Sequence, residues 1–128
     1  MARVLIVEDE PDILLLLQMS VNAAGYDTSV AADGDVALHR ISQTKYDVVL
    51  LDLWMPVLDG WQVLDRLNES TDSPAVIVVS AHPDAARSLK MGAVEWVMKP
   101  FAVDDVINTI RRVLNEAPTN GNAPGEQT

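Results

Sequence analysis

Five short runs rich in β-branched residues, at 4–7, 28–32, 48–51, 76–79 and 95–98, alternate with stretches of helical character. Three of them (Val-Leu-Ile-Val, Val-Val-Leu-Leu and Val-Ile-Val-Val) are uninterruptedly apolar. A strand that faces solvent on one side alternates polar and apolar residues, so unbroken runs of four mark strands buried on both faces of a parallel sheet. Asp12 is placed to cap the first intervening helix and Gly25 to stop it. Asp33-Gly34-Asp35 reads as a turn and helix cap, since the remaining ligand positions of a calcium loop are missing. Asp59-Gly60 opens a helix with Trp61, Leu64 and Leu67 on one face. The last helix carries Val103, Val106, Ile107, Ile110, Val113 and Leu114 at amphipathic spacing, with Arg111 and Arg112 complementing its dipole without need of a partner. Parallel strands need crossovers, so this order predicts a doubly wound α/β fold, a five-stranded parallel sheet flanked by five helices.

The 128 residues allow one domain with one core, expected over residues 1–116. Residues 117–128 have Pro, Gly and Asn without apolar periodicity, as expected of a flexible tail or the start of an interdomain linker. Between Pro83 and Gly92 the apolar content is mostly Ala85, Ala86, Leu89 and Met91, so that helix buries little and should sit at the low end of local stability. Leu14 and Leu15 are expected in the core. The absence of cysteine excludes disulfides, thiolate zinc sites and a thiol nucleophile. A net charge of -10 argues against direct nucleic-acid binding. The longest apolar run, 13–17, is too short for a bilayer, and no basic segment followed by an apolar one opens the chain. A cytoplasmic location is the expectation.

In open α/β sheets, sites form beyond the carboxyl ends of the strands. Those ends collect Glu8 and Asp9, then Asp52, Ser80 and Lys99. Converging carboxylates repel one another, and a hard divalent cation with oxygen ligands relieves this. A hydroxyl and an ammonium could then contact a phosphoryl group, whose transfer depends mostly on positioning and electrostatics. Asp52, at the tip of the most apolar central run, is the natural nucleophile.

Glu8-Asp9, the run at 48–52 with Met55-Pro56 and Asp59-Gly60, Ser80-Ala81, and Lys99-Pro100-Phe101 together resemble the receiver domain of two-component response regulators over about residues 3–116. The resemblance implies a flavodoxin-like fold with strand order 2-1-3-4-5. It implies that Asp52 accepts a phosphoryl group from a sensor histidine kinase or phosphotransfer protein. Mg²⁺, with Mn²⁺ as an alternative, would be held by Asp9, Asp52 and the Trp54 backbone carbonyl, with Glu8 acting mainly through a water. Ser80 and Lys99 would contact the phosphoryl group, and Pro100 would be the cis-proline that positions the lysine. Ser80 and Trp96 would form the switch, although the family commonly has Tyr or Phe where Trp96 stands. Trp54 and His82 would modulate phosphoryl lifetime, and His39 would have no role.

The resemblance also implies a switch whose only catalysis is its own phosphorylation and dephosphorylation. An output partner or domain would bind the face of the last two helices and last strand, where two copies could also pair. No direct nucleic-acid or membrane contact is expected. A haloacid-dehalogenase-type phosphatase would need an Asp where Trp54 stands, and a nucleotide switch would need a G-x-x-x-x-G-K-[ST] loop, which the chain lacks. The remaining alternative is a receiver-like docking module that works without phosphorylation.

Overall fold

In the computed structural model, which describes residues 1–55 and 57–116, five strands form one parallel sheet. They are β1 (Arg3–Val7), β2 (Asp27–Ala31), β3 (Val48–Leu51), β4 (Ala75–Ser80) and β5 (Glu95–Met98), in the order β2-β1-β3-β4-β5. Between and after them lie α1 (Pro11–Ala23), α2 (Gly34–Gln43), α3 (Gly60–Leu67), a 3₁₀ segment (Ala85–Met91) and α4 (Val103–Val113). The doubly wound architecture expected from the sequence is therefore present, and β3 is its central strand.

Two-residue periodicity divides each strand between the two faces. Leu5, Val7, Val49, Leu51, Val76 and Val78 pack into one apolar layer with Val63, Leu64 and Leu67 of α3 and Ala37 of α2. Val4, Ile6, Val48, Leu50, Ile77 and Val79 pack on the opposite side with Leu17 and Val21 of α1 and Val106 and Ile110 of α4. All four residues of β3 are buried, which is why its sequence shows no polar alternation.

Helix ends follow local chemistry with one correction. Asp33 accepts from the Val36 N–H at 2.9 Å, and Asp59 and Gln62 form a reciprocal capping box, both bonds at 3.0 Å. Asp12 is not the cap of α1: Glu10 takes that position without a side-chain bond, and Pro11 starts the helix. Proline lacks the N–H that would go unpaired there, so it competes well for that position. Gly25 ends the α1 turn at φ 103°, a left-handed conformation that glycine adopts without strain.

The weak segment after Pro83 is a 3₁₀ helix, not an α-helix. The Ala85 N–H reaches the His82 carbonyl at 3.0 Å and the Arg87 N–H reaches the Asp84 carbonyl at 2.9 Å, both i to i−3. Only Ala85 and Ser88 are buried within it, too little apolar contact to hold a longer regular helix. Two further expectations fail. Leu15 is exposed while Leu14 packs against the core, because α1 presents only one face to the sheet. Arg111 and Arg112 do have partners: Arg111 donates to the Ala24 carbonyl at 3.2 Å and the Tyr26 hydroxyl at 3.3 Å, and Arg112 to Glu95 at 3.1 Å. Among the described residues no helix is long and apolar enough to cross a membrane. The expectation for residues 117–128 lies outside those described.

Candidate functional site

All five strands point the same way, so their carboxyl ends share one edge of the sheet. Val7 pairs with Leu51, which sets Glu8 beside Asp52 in the next register position. Ser80 pairs with Met98, and the Lys99 N–H then bonds to the Ser80 carbonyl at 3.0 Å. From there the Lys99 side chain crosses to the acids: its Nζ donates to Glu8 Oε1 at 2.6 Å and to Asp52 Oδ2 at 3.2 Å. Carboxylate oxygens of Glu8, Asp9 and Asp52 lie within 4.8 Å of one another. Glu8 is 1% exposed and Asp52 5%, while Asp9 is more open to solvent.

The electrostatics show an excess of negative charge. Burial first, and then the Asp52 charge, push the Glu8 carboxyl up to about 7 despite the hydrogen bond from Lys99. For Lys99, burial favours the neutral amine, but the hydrogen bond to Glu8 and the two carboxylate charges outweigh it and raise its pKa. One ammonium therefore does not satisfy three acids. A hard-oxygen donor set with uncompensated charge fits a divalent cation such as Mg²⁺.

The other sequence-derived candidates divide. The Trp54 N–H donates to Asp52 Oδ1 at 3.3 Å, so its peptide borders the acid, while the residue as a whole is 54% exposed. Ser80 is fully buried and its Oγ accepts from the His82 N–H at 3.2 Å. The Lys99–Pro100 peptide is cis. Trp96 is not in the cluster: it pairs with Val78, two residues back along the sheet, and packs half-buried against the layer that includes α3. His39 lies exposed on α2.

Trp61 and Arg87, for which the sequence indicates no part in the site, gather near His82. The His82 ring packs against both Trp54, at 4.9 Å between centroids, and Trp61, at 5.3 Å, and the Arg87 guanidinium sits 5.7 Å from the Trp61 ring centroid. In the sequence Trp61 reads only as one more apolar position on α3, and nothing in its spacing indicates a histidine twenty-one residues away.

Residues 4–111 match the family model of the response regulator receiver domain. The chain belongs to that family. This receiver domain is 33% identical over 114 residues to the transcriptional activator protein IrlR of Burkholderia pseudomallei, covering 88% of the chain and 50% of IrlR. To the probable transcriptional regulator ycf27 of Guillardia theta it is 37% identical over 114 residues, 88% of the chain and 45% of the relative. The chain thus spans about half the length of these curated relatives. Among solved structures, the receiver domain of Francisella response regulator 1452 superposes with a TM-score of 0.85 at 31% identity, covering 90% of this chain and 98% of that one. Thermotoga maritima TrrA, solved in complex with Mg²⁺–BeF, gives 0.81 at 30% identity, with 88% and 99% covered. As a receiver domain of two-component systems, the molecule is of a signalling class whose members work with histidine kinases and output domains.

Proposed function

We propose that this receiver domain, residues 1–116, takes a phosphoryl group from a phosphohistidine of a sensor kinase or phosphotransfer protein onto Asp52, in a Mg²⁺-dependent reaction in the cytoplasm. The observation that carries this is the meeting of Lys99 Nζ with Glu8 and Asp52 at 2.6 and 3.2 Å, beside Asp9, at the carboxyl edge of the sheet. An Asp52 carboxylate oxygen attacks phosphorus, the phosphorus–nitrogen bond breaks, and the electron pair leaves with the imidazole. Lys99 then follows the negative charge from the carboxylates to the phosphoryl oxygens, and Ser80 donates its hydroxyl proton to one of them. Glu8, Asp9, Asp52 and the Trp54 carbonyl would hold the cation, Glu8 mainly through a water, and its chemistry is to neutralise charge on the transferring group. Mn²⁺ would serve in its place.

Phosphorylation would bias a pre-existing equilibrium. Ser80 moving toward phosphate, with Trp96 responding, would change the face formed by the 3₁₀ segment, β5 and α4, where an output partner or a second copy binds. The shallow anchoring of the 3₁₀ segment suits an element that moves at low cost. Trp54 and His82 would set how readily water reaches the acyl phosphate. Incubation with acetyl phosphate and Mg²⁺, followed by intact-protein mass spectrometry, tests the proposal. A phosphoryl adduct that disappears with EDTA or in Asp52→Ala is expected. No adduct in the parent chain would favour a docking module that works without phosphorylation.

A further inference from the structure

Trp54 stands two residues past Asp52 and His82 two past Ser80, on loops that leave the neighbouring strands β3 and β4. Their backbone N–H groups turn back onto Asp52 Oδ1 and Ser80 Oγ at 3.3 and 3.2 Å, so both loops are tied to the phosphoryl site itself. Their rings meet at 4.9 Å between centroids and 51° between planes. At that separation the two rings are in contact and no water fits between them. Trp61 of α3 also packs against His82, in a T-shaped contact at 5.3 Å and 83°. Arg87 over the Trp61 ring and the bond from the Asp84 N–H to His82 Nδ1 at 3.0 Å complete the clamp.

We infer that Trp61 is a positioning residue for the phosphorylated state: by clamping His82 against Trp54 it keeps a shutter closed over the acyl phosphate and prolongs its lifetime. The inference rests on the assignment of Asp52 as phosphoacceptor. In hydrolysis, a water oxygen attacks phosphorus in line with the bond to Asp52. That bond breaks, its electron pair returns to the Asp52 carboxylate, and both protons of the water leave with the phosphate product as dihydrogen phosphate. The attacking water must come from the side opposite Asp52. Glu8 and Lys99 occupy the buried side of the cluster, whereas Trp54 is exposed. An imidazole packed against both indoles is restrained from swinging away from Trp54, while one freed of Trp61 can, and water then gains an approach.

The test is a double-mutant cycle on the full chain. Parent, Trp61→Ala, His82→Ala and the double variant are labelled with acetyl phosphate and Mg²⁺, desalted, and followed by intact-mass measurement as the adduct decays. Trp61→Ala should shorten the lifetime about fivefold, equivalent to ~1 kcal/mol in the barrier, and Trp61→Phe should restore the parental lifetime. In the His82→Ala background, Trp61→Ala should have no further effect, because Trp61 acts only through the imidazole. Equal lifetimes for parent and Trp61→Ala would overturn the inference alone, as would the same acceleration in both backgrounds, which a general loosening of α3 produces. Absence of any adduct in the parent chain would overturn the phosphoacceptor assignment and this inference with it.

Discussion

Without a divalent cation, the protein should lose stability as pH rises from about 5 to about 8, and Glu8→Gln should remove most of that loss. Glu8 lies at the base of the acidic cluster, 1% exposed, and its carboxyl is raised from 4.5 to about 7. The folded protein therefore holds a proton on Glu8 over a pH range where the unfolded chain has released it. Wherever the folded state binds more protons, stability falls with pH. The contribution is fully present below the unfolded value of 4.5 and has been lost once pH passes the folded value near 7. Integrated between about pH 5 and 8, this single group accounts for about 2–3 kcal/mol, an appreciable share of a small domain's stability. Gln cannot titrate, so its stability should change less over the same range by that amount. Urea unfolding in EDTA, read by tryptophan fluorescence at several pH values, measures both curves. Saturating Mg²⁺ should flatten the parent curve, because the cation favours the ionised carboxylate. Parallel pH dependences for parent and Glu8→Gln in EDTA would refute the claim that burial beside Asp52 holds a proton on Glu8.

Two further perturbations test the scaffold. A Cβ on Gly60 would overlap the Asp52 carbonyl oxygen and lie 2.6 Å from the Leu53 Cα, both backbone atoms that cannot swing aside. Gly60→Ala should therefore cost about 2–3 kcal/mol in chemical denaturation, and a parental midpoint would contradict this close approach of the α3 N-terminus to the Asp52–Leu53 backbone that follows β3. The Tyr26 hydroxyl donates to Glu116 at 2.7 Å, and burial together with that bond raises its pKa to about 12. Tyr26→Phe should cost about 1–2 kcal/mol by leaving the Arg111–Glu116 pair without its third member. In ultraviolet titration the late phenolate step should disappear with it.

Much of the site was legible because its address is a property of the fold class. Once three unbroken apolar runs imply a parallel sheet, the residues just past each run must share an edge, whatever the helices do between them. Glu8, Asp9, Asp52, Ser80 and Lys99 share that address, and the structure brings Lys99 into contact with Glu8 and Asp52 and gathers oxygens of the three acids within 4.8 Å of one another. Trp96 illustrates the limit. Its place on β5 was readable, but its half-buried packing two residues back from the edge depends on which side chains of the sheet and α3 it meets. Asp12 illustrates another, since choosing between cap positions two residues apart turns on about 1 kcal/mol, a balance that Pro11 tips.

Apolar period and strand-end chemistry are local properties, written in consecutive residues, and they determined the class of fold, the central strand and the identity of the acidic cluster. Contacts between loops are not local. That Lys99 binds Glu8 more closely than Asp52, that the segment after Pro83 winds as a 3₁₀ helix, and that His82 packs against two indoles were decided only by tertiary structure. Each depends on how far neighbouring strands and helices stand apart after the core has packed, a distance no single stretch of the chain encodes.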